Sequence, residues 1–498
     1  MHADDVQDVP VLIVGAGPAV LTAAITLARY GIGSLLVERR ADLPSIPRAT
    51  AVSTRTMELF RSWGLEDEIR SGGVDVEWSA WLTETLASGE GSAMPLGYPS
   101  PEQAAVVSPT MPASVPQDHL EPVLLNHLRP LPDTEICFGT ELVTLDQDAR
   151  GVTAVIRERT SGTSALVRAR YVVAADGAHS TVRARLGIPM EGPDDLVRHS
   201  TVLFHAPLWE VVGDRRFGLY VITHPEAGGV LVPVGADDRW LFGQESDLDR
   251  RRLEDDSQQG ITELIRAATG IPELRPEIER VGHFSFAAQI AASYRDRRVF
   301  LVGDAAHRVT PRGGTGMNTA IHDGHDVAWK VAWVLRGWAG SALLDSYEAE
   351  RRPIGLHNTA RSADPNGSRR DAADGLVVDL AGRIPHVWLD REGGDLVSTL
   401  DLLGPGLTVL TGSDGAPWRR ASVTGASIPV DVRSVDDVAA RVLGISRGGA
   451  ILVRPDGQPA GWWPVAVDDP VEAVRQAIDR VTNADSGAET LSEPALVG

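Results

Sequence analysis

Residues 298–319 of the chain read RVFLVGDAAHRVTPRGGTGMNT. A short apolar run ends at Gly303 and Asp304, and a loop with three glycines among positions 313 to 316 precedes a helical pattern from about Asn318. The valines at positions 327, 331 and 334 are spaced for one buried helix face. Glycines are costly to order, so this loop indicates a close approach of its backbone to another group, with an ordinary surface turn as the alternative.

A second strand-loop-helix pattern stands near the start of the chain. Residues 11–14 (VLIV) form an apolar run, the loop GAGPAV follows at 15–20, and a second apolar run ends at Glu38. Glycines in such a loop let a pyrophosphate reach a helix N-terminus, and an acid about 20 residues on accepts hydrogen bonds from a ribose. Val20 replaces the third glycine of that fingerprint, so dinucleotide binding and a purely structural turn both stay open.

A third apolar run, residues 171–175, ends in Asp176 and Gly177. It is typical of a buried strand whose carboxyl end turns at the edge of an α/β sheet, which is where such sheets bind ligands. Asp-Gly turns are common, so this segment is weak evidence alone.

Bulk properties limit the function classes. The 498 residues predict two or three domains, and the net charge of −21 argues against nucleic acid or an anionic membrane as a partner. We find no apolar run long enough for a membrane span and no basic secretory leader, so we expect a cytoplasmic protein. Cys137 is the only cysteine, and the 13 histidines lack metal-ligand spacing, so we predict no metal site.

Taken together, these segments resemble the single-component FAD-dependent aromatic hydroxylases, the class of para-hydroxybenzoate and phenol hydroxylases, and most of all the actinobacterial polyketide hydroxylases. The resemblance spans roughly residues 9 to 355. Its further pieces are Glu38-Arg39-Arg40, Pro47-Arg48-Ala49, Arg55 to Glu58, Gln117 before Leu120-Glu121, and Leu344 to Pro353.

The resemblance implies FAD as the cofactor and NAD(P)H as a transient co-substrate. Asp304 is expected to accept hydrogen bonds from the ribityl chain, Arg48 and Gln117 to steady that chain, and the loop at 311–318 to meet the pyrimidine edge of the flavin. The full set of expected FAD-binding residues is Gly15, Gly17, Pro18, Ala19, Glu38, Arg39, Arg48, Gln117, Asp176, Gly177, Asp304, Pro311, Gly314, Gly316, Met317 and Asn318.

The chain departs from the family pattern near the flavin. Besides Val20, it carries Thr315, Ala320 and His322 where many relatives have a glutamine or large residue, a glycine and a glutamine. These changes concern the fine flavin environment. A histidine here is more often structural than catalytic, and we assign no catalytic residue.

The implied fold is α/β. A Rossmann-type, glutathione-reductase-like FAD domain is expected over 1–76, 106–182 and 282–375, with an inserted α+β sheet domain over 77–105 and 183–281. Residues 376–498 resemble a thioredoxin-like C-terminal domain, without redox cysteines, for packing or homodimerisation. The sheet would roof the substrate, with Trp78, Phe217, Tyr220 and Phe286 as candidate lining residues, as are Trp81 and Phe284, although each could be ordinary core.

The implied activity is hydroxylation of an aromatic or polycyclic, polyketide-like small molecule, using NAD(P)H and O₂ through a flavin hydroperoxide. Two alternatives stay open. One is a redox-neutral cyclase in polyketide biosynthesis, of the [4+2] cycloaddition type, with FAD as a structural cofactor. The other is a flavin-binding scaffold without activity.

Overall fold

The computed structural model describes residues 6–47, 49–245, 257–390, 394–423 and 427–482. Its strands are β1 (Val6–Val14), β2 (Ser34–Glu38), β3 (Ala51–Val52), β4 (Glu77–Thr83), β5 (Ser92–Pro95), β6 (Ala113–Ser114), β7 (Thr134–Phe138), β8 (Thr140–Gln147), β9 (Val152–Glu158), β10 (Ser164–Ala174), β11 (Met190–Glu191), β12 (Val197–His205), β13 (Phe217–Ile222), β14 (Gly229–Pro233), β15 (Arg239–Glu245), β16 (Glu277–Phe286), β17 (Gln289–Ala291), β18 (Arg295–Asp296), β19 (Val299–Leu301), β20 (His307–Arg308), β21 (Trp388–Asp390), β22 (Leu396–Ser398), β23 (Leu407–Thr411), β24 (Val430–Ser434), β25 (Ala450–Val453) and β26 (Pro459–Trp463).

Its α-helices are α1 (Pro18–Arg29), α2 (Thr54–Ser62), α3 (Glu66–Ser71), α4 (Pro101–Val107), α5 (Gln117–Leu128), α6 (Thr181–Arg185), α7 (Leu208–Val212), α8 (Gln258–Thr269), α9 (Gly316–Leu335), α10 (Ser346–Ala363), α11 (Ala372–Leu380), α12 (Asp437–Val442) and α13 (Pro470–Thr482). Within the described residues, none of these helices is both long and apolar enough to span a membrane.

The three apolar runs of the sequence become neighbouring strands of one sheet. The strand order is β18-β19-β10-β1-β2-β7, and β19, β10, β1, β2 and β7 pair in parallel. Residues 11–14 of β1 and 172–174 of β10 are buried, as continuous apolar strands covered on both faces must be. The predicted α/β fold with a Rossmann-type sheet is confirmed.

Helices α1 and α9 cross in very close contact on this sheet. A Cβ atom added to Gly324 of α9 would lie 2.0 Å from the carbonyl oxygen of Ala19 in α1. Val20, at the position of the missing third glycine, is fully buried. Gly324 therefore allows the close contact between α9 and α1, while Val20 packs in the core without a glycine at its position.

The inserted domain is a seven-stranded sheet in the order β16-β12-β15-β14-β13-β4-β5. Alternate side chains, among them Val202, Phe242 and Leu231, form a core with Leu264 and Ile265 of α8. Helices therefore cover one face of the sheet. Residues of opposite parity, such as Leu219 on β13, point to the other face, which the glycine loop at 311–316 approaches where Arg312 lies over Phe286.

The C-terminal sheet has the order β24-β23-β25-β26, with β23 and β24 parallel and the other pairs antiparallel. A parallel pair followed by an antiparallel hairpin, with helices between, is the arrangement expected for the thioredoxin-like module. The predicted domain limits themselves stay predictions, and those at 182, 281 and 375 lie inside α6, β16 and α11.

The only lysine of the chain links α9 to the C-terminal domain. The Nζ atom of Lys330 is fully buried and lies 2.8 Å from Asp326 and 2.9 Å from Glu350. Arg454, from the turn after β25, makes two hydrogen bonds of 2.7 and 2.8 Å to Glu350 and also pairs with Asp456. Burial alone would raise the pKa of Glu350, but Lys330 and Arg454 lower it to about 2.

We expect Lys330→Met to destabilise the fold, because Asp326 and Glu350 would lose their shared buried cation. Breaking a buried ion pair from one side costs about 3–5 kcal/mol. Arg475→Gln is the control, since Arg475 pairs with Glu472 on an exposed helix face and such pairs contribute about 1 kcal/mol or less. Urea unfolding measures both variants. Equal midpoints for the two would contradict the assigned role of Lys330.

Candidate functional site

The loop between β1 and α1 requires glycine at one position and leaves space at another. Gly15 has a φ of +112°, and a Cβ added to it would lie 2.5 Å from the carbonyl oxygen of Ala175, at the end of β10. A Cβ added to Gly17 would meet no atom within 4 Å, and Gly17 caps α1 without any side-chain hydrogen bond. The positive end of α1 thus opens onto space that fits a pyrophosphate. Pro18 and Ala19 form the first turn of α1.

Glu38 lies at the carboxyl end of β2 and supports this loop. Its Oε2 accepts a hydrogen bond of 3.0 Å from the Ala16 N–H, and its Oε1 accepts one of 2.9 Å from the Arg40 N–H. A carboxylate has about four lone-pair positions, so acceptor capacity is left for a ribose. Arg39 beside it is exposed, and its carbonyl accepts a hydrogen bond from Arg159.

Asp176 and Gly177 follow β10, next to the Gly15 loop. The two carboxylate oxygens of Asp176 accept hydrogen bonds from the Ser180 hydroxyl and the Val182 N–H. This carboxylate therefore caps the short helix α6. Gly177 has a φ of +87°, which favours glycine.

Asp304 lies just past the carboxyl end of β19, in a single 3₁₀ turn that spans Gly303–Ala305. The side chain is exposed, and it makes no hydrogen bond or ion pair with the described residues. A carboxylate free to accept hydrogen bonds at this edge of the sheet fits the expected partner of the ribityl hydroxyls.

The glycine loop at 311–316 leads into α9, and Asn318 fixes its position. The Asn318 Oδ1 accepts a hydrogen bond of 2.9 Å from the Ser53 N–H, while its Nδ2 donates to the carbonyls of Ala51 (3.0 Å) and Gly314 (3.1 Å). No side chain caps the start of α9, where Gly316 and Met317 stand. The first N–H groups of this helix and its positive dipole end are left for an acceptor such as the pyrimidine edge of a flavin.

The remaining predicted cofactor residues lie around this loop. Gln117 begins α5, its N–H donates to the Ala49 carbonyl at 2.9 Å, and its side-chain amide donates to Glu121 at 2.7 Å. Pro311 accepts the N–H of Gly314 in a turn. Arg48 lies outside the described residues.

The candidate substrate residues fall on the two faces of the seven-stranded sheet. Phe217 and Tyr220 lie in its helix-covered core, and the Tyr220 hydroxyl donates to the Arg215 carbonyl at 2.6 Å. Both rings pack in this core, with their centroids 6.1 Å apart, which is the core-packing alternative that the sequence left open. Trp81 stacks on Phe217 in the same core.

Trp78 and Phe286 instead lie toward the glycine loop at 311–316. Trp78 packs against Tyr98, with ring centroids 4.8 Å apart, and the Tyr98 hydroxyl donates to the Gly314 carbonyl at 3.1 Å. The Arg312 guanidinium sits 5.7 Å from the Phe286 ring centroid. Phe284, with 43 % of its surface exposed, lies beside Phe286.

His322 is buried behind the loop, where its Nε2 lies 3.1 Å from the Thr56 hydroxyl. Burial lowers the pKa of His322 well below its usual value, so the ring stays neutral. It lines a cavity of about 100 Å³ together with Arg351 and Arg370. This environment favours a structural role.

Sequence motifs did not single out three side chains that contact the loop, namely Tyr98, Arg361 and Arg370. Arg361 donates to the Thr315 hydroxyl at 2.8 Å, and Arg370 donates to the Gly313 carbonyl at 3.5 Å. They come from segments 40 or more residues away along the chain, and no local pattern marks them.

Comparison with known proteins agrees with this geometry. Residues 8–362 match a family model described as FAD binding domain, and residues 379–484 match one described as aromatic-ring hydroxylase, C-terminal. Tetracenomycin A2 monooxygenase-dioxygenase from Streptomyces glaucescens is 35% identical, with 97% of this chain and 98% of the relative covered. Aklavinone 12-hydroxylase from Streptomyces purpurascens is 34% identical, with 95% and 99% covered.

Among solved structures, aklavinone-11 hydroxylase in a ternary complex with FAD and aklavinone superposes with a TM-score of 0.88. The two chains share 33% identity, and the match covers 96% of this chain and 100% of the other.

The open space at Gly17 gives a direct test of the FAD site. Gly17→Ala should fold normally, since its φ of −78° suits alanine and the methyl group meets no protein atom within 4 Å. The methyl group would enter the space of the pyrophosphate, so we expect FAD affinity to fall at least about tenfold, about 1.4 kcal/mol. Fluorescence titration of the deflavinated protein with FAD measures this loss.

Gly89→Ala is the matched control, because a Cβ there also meets nothing within 4 Å but Gly89 lies in an exposed turn of the inserted domain. We expect it to bind FAD like the wild type. Unchanged FAD affinity in Gly17→Ala would mean that the pyrophosphate does not lie at the N-terminus of α1.

Proposed function

Since this chain belongs to the family of FAD-binding aromatic-ring hydroxylases, we propose that it is an FAD-dependent monooxygenase that hydroxylates a polycyclic, polyketide-like molecule with NAD(P)H and O₂. The observation that carries this proposal is the arrangement at one edge of the parallel sheet. Two uncapped helix N-termini and the free carboxylate of Asp304 converge there.

The residues at this edge match the parts of FAD in order. The Gly15 loop and the start of α1 would hold the pyrophosphate, Glu38 the adenosine ribose, and Asp304 the ribityl hydroxyls. The N–H groups that begin α9 would meet the pyrimidine edge. FAD, when bound and reduced by NAD(P)H, supplies the activation of O₂ and the transfer of one oxygen atom.

The chain's own residues orient the reactants and exclude water. Asn318 fixes the glycine loop to β3 through three hydrogen bonds. Tyr98, held on Gly314, and Trp78 pack together between the loop and the seven-stranded sheet. A flat aromatic molecule between this sheet and the flavin would be shielded from solvent, which strengthens electrostatic interactions at the reacting carbon.

The substrate class is inferred from the side chains on one face of the seven-stranded sheet and from the substrates for which the relatives are named. The face toward the loop carries apolar residues such as Leu219 and the aromatic pair Phe284 and Phe286. The relatives are named for aklavinone and tetracenomycin A2. A fused-ring aromatic polyketide suits this surface. Homodimer formation and a cytoplasmic location stay predictions, and the choice between NADH and NADPH stays open.

The test follows substrate turnover by the purified holoprotein with aklavinone as the probe, in the presence of NADPH or NADH. We expect consumption of NAD(P)H and O₂ and a product one oxygen atom heavier, identified by mass spectrometry. Gly17→Ala is the control, since weaker FAD binding should reduce both the consumption of NAD(P)H and O₂ and the amount of product. A product isomeric with the substrate, with neither NAD(P)H nor O₂ consumed, would contradict the proposal and favour the FAD-containing cyclase.

A further inference from the structure

Two guanidinium groups stand directly behind the glycine loop that faces the flavin. A Cβ added to Gly313 would lie 3.0 Å from the Arg361 Nη1, and the Arg370 Nη2 donates to the Gly313 carbonyl at 3.5 Å. Arg361 belongs to α10, and Arg370 precedes α11. The loop is therefore a thin backbone layer with two cations on its rear side.

Arg361 lacks the partners that a partly buried arginine normally has. Its Nη2 donates to the Thr315 hydroxyl (2.8 Å) and to Asn358 (3.3 Å), whereas its Nε and Nη1 are buried and make no hydrogen bond. Among the described residues, no carboxylate forms an ion pair with Arg361 or Arg370. Burial and the neighbouring Arg370 lower the pKa of Arg361 to about 10, so it remains a cation at neutral pH.

This placement is electrostatically unfavourable in the protein alone. Thr315, which Arg361 contacts, is the N-cap of α9, and a helix N-terminus already carries about half a positive charge. A second cation, Arg370, adds to the same potential. A buried arginine is normally neutralised by a carboxylate, as Arg351 on the same helix α10 is by Asp323 at 2.8 Å. Asp379 and Asp374 partly offset the charge of Arg370, but among the described residues no carboxylate forms an ion pair with Arg361, which contacts the helix start itself. This uncompensated cation indicates that an anion belongs close to the loop.

We propose that Arg361 and Arg370 are positioning residues that act through the glycine loop to favour the negatively charged, reduced form of FAD over its oxidised form. The inference rests on the proposed function and deepens it. Hydride transfer from NAD(P)H adds two electrons and one proton to the neutral flavin ring, which gains one negative charge while NAD(P)⁺ leaves. The charge appears at the pyrimidine side, in front of the loop, where both guanidinium groups attract it.

Arg361→Met in the holoprotein tests this. The midpoint potential of bound FAD is measured by slow chemical reduction with a reference dye, without NAD(P)H or substrate. We expect the equilibrium between oxidised and reduced FAD to shift at least tenfold toward the oxidised form. For a two-electron couple, this lowers the midpoint potential by about 30 mV. Arg370→Met should shift it in the same direction, and Arg361→Lys should restore most of the wild-type potential.

Arg352→Gln is the matched control. Arg352 lies on the same helix but pairs with Glu191, 3.3 Å away near the surface. The midpoint potential of FAD in this variant should therefore equal that in the wild type. Unchanged potentials in both methionine variants, or an equal shift in Arg352→Gln, would overturn the proposal. Failure of this proposal can be told apart from failure of the proposed function. An FAD-containing cyclase would lack monooxygenase activity but would still show the shift in potential, whereas a chain that binds no FAD would contradict the proposed function before any potential is measured.

Discussion

Backbone N–H groups at the start of a helix need acceptors, and this fold leaves two such starts without a side-chain cap at the same edge of one sheet. The rest of the structure fixes these two ends. Gly15 turns the chain against Ala175, Gly324 lets α9 approach Ala19 of α1, and Asn318 ties the second glycine loop to β3. A long anionic cofactor that spans both ends satisfies them together, which is why the geometry favours FAD.

The C-terminal domain contributes to the same constraint. Arg454 and Asp456, on the turn that follows β25, join Glu350 of α10 and Lys330 of α9 in one buried ionic network. Three carboxylates there, from Asp326, Glu350 and Asp456, lie within 4.8 Å of one another, and the lysine and the arginine offset two of the three negative charges. The C-terminal domain, although it has no redox cysteines, thus stabilises the position of α9, the helix that begins at the glycine loop.

Local patterns predicted the parts of the site that depend on short stretches of sequence. Apolar runs located the parallel strands, and the positions of Gly15, Glu38 and Asp304 followed from the strand ends. Contacts between distant segments were not predictable. Phe217 and Tyr220 look like Phe286 in sequence, but the strand register decides which face each ring takes. Arg361 and the pairing of Lys330 depend on helix packing, for which no local signal exists.

A crystal structure of the holoprotein would show whether FAD spans the two uncapped helix starts. We expect the pyrophosphate against Gly17, the ribityl hydroxyls on Asp304, and the pyrimidine edge on the N–H groups of Met317 and Asn318. Electron density for FAD in any other place, or a glycine loop at 313–316 that contacts only protein side chains in a fully loaded enzyme, would contradict this expectation.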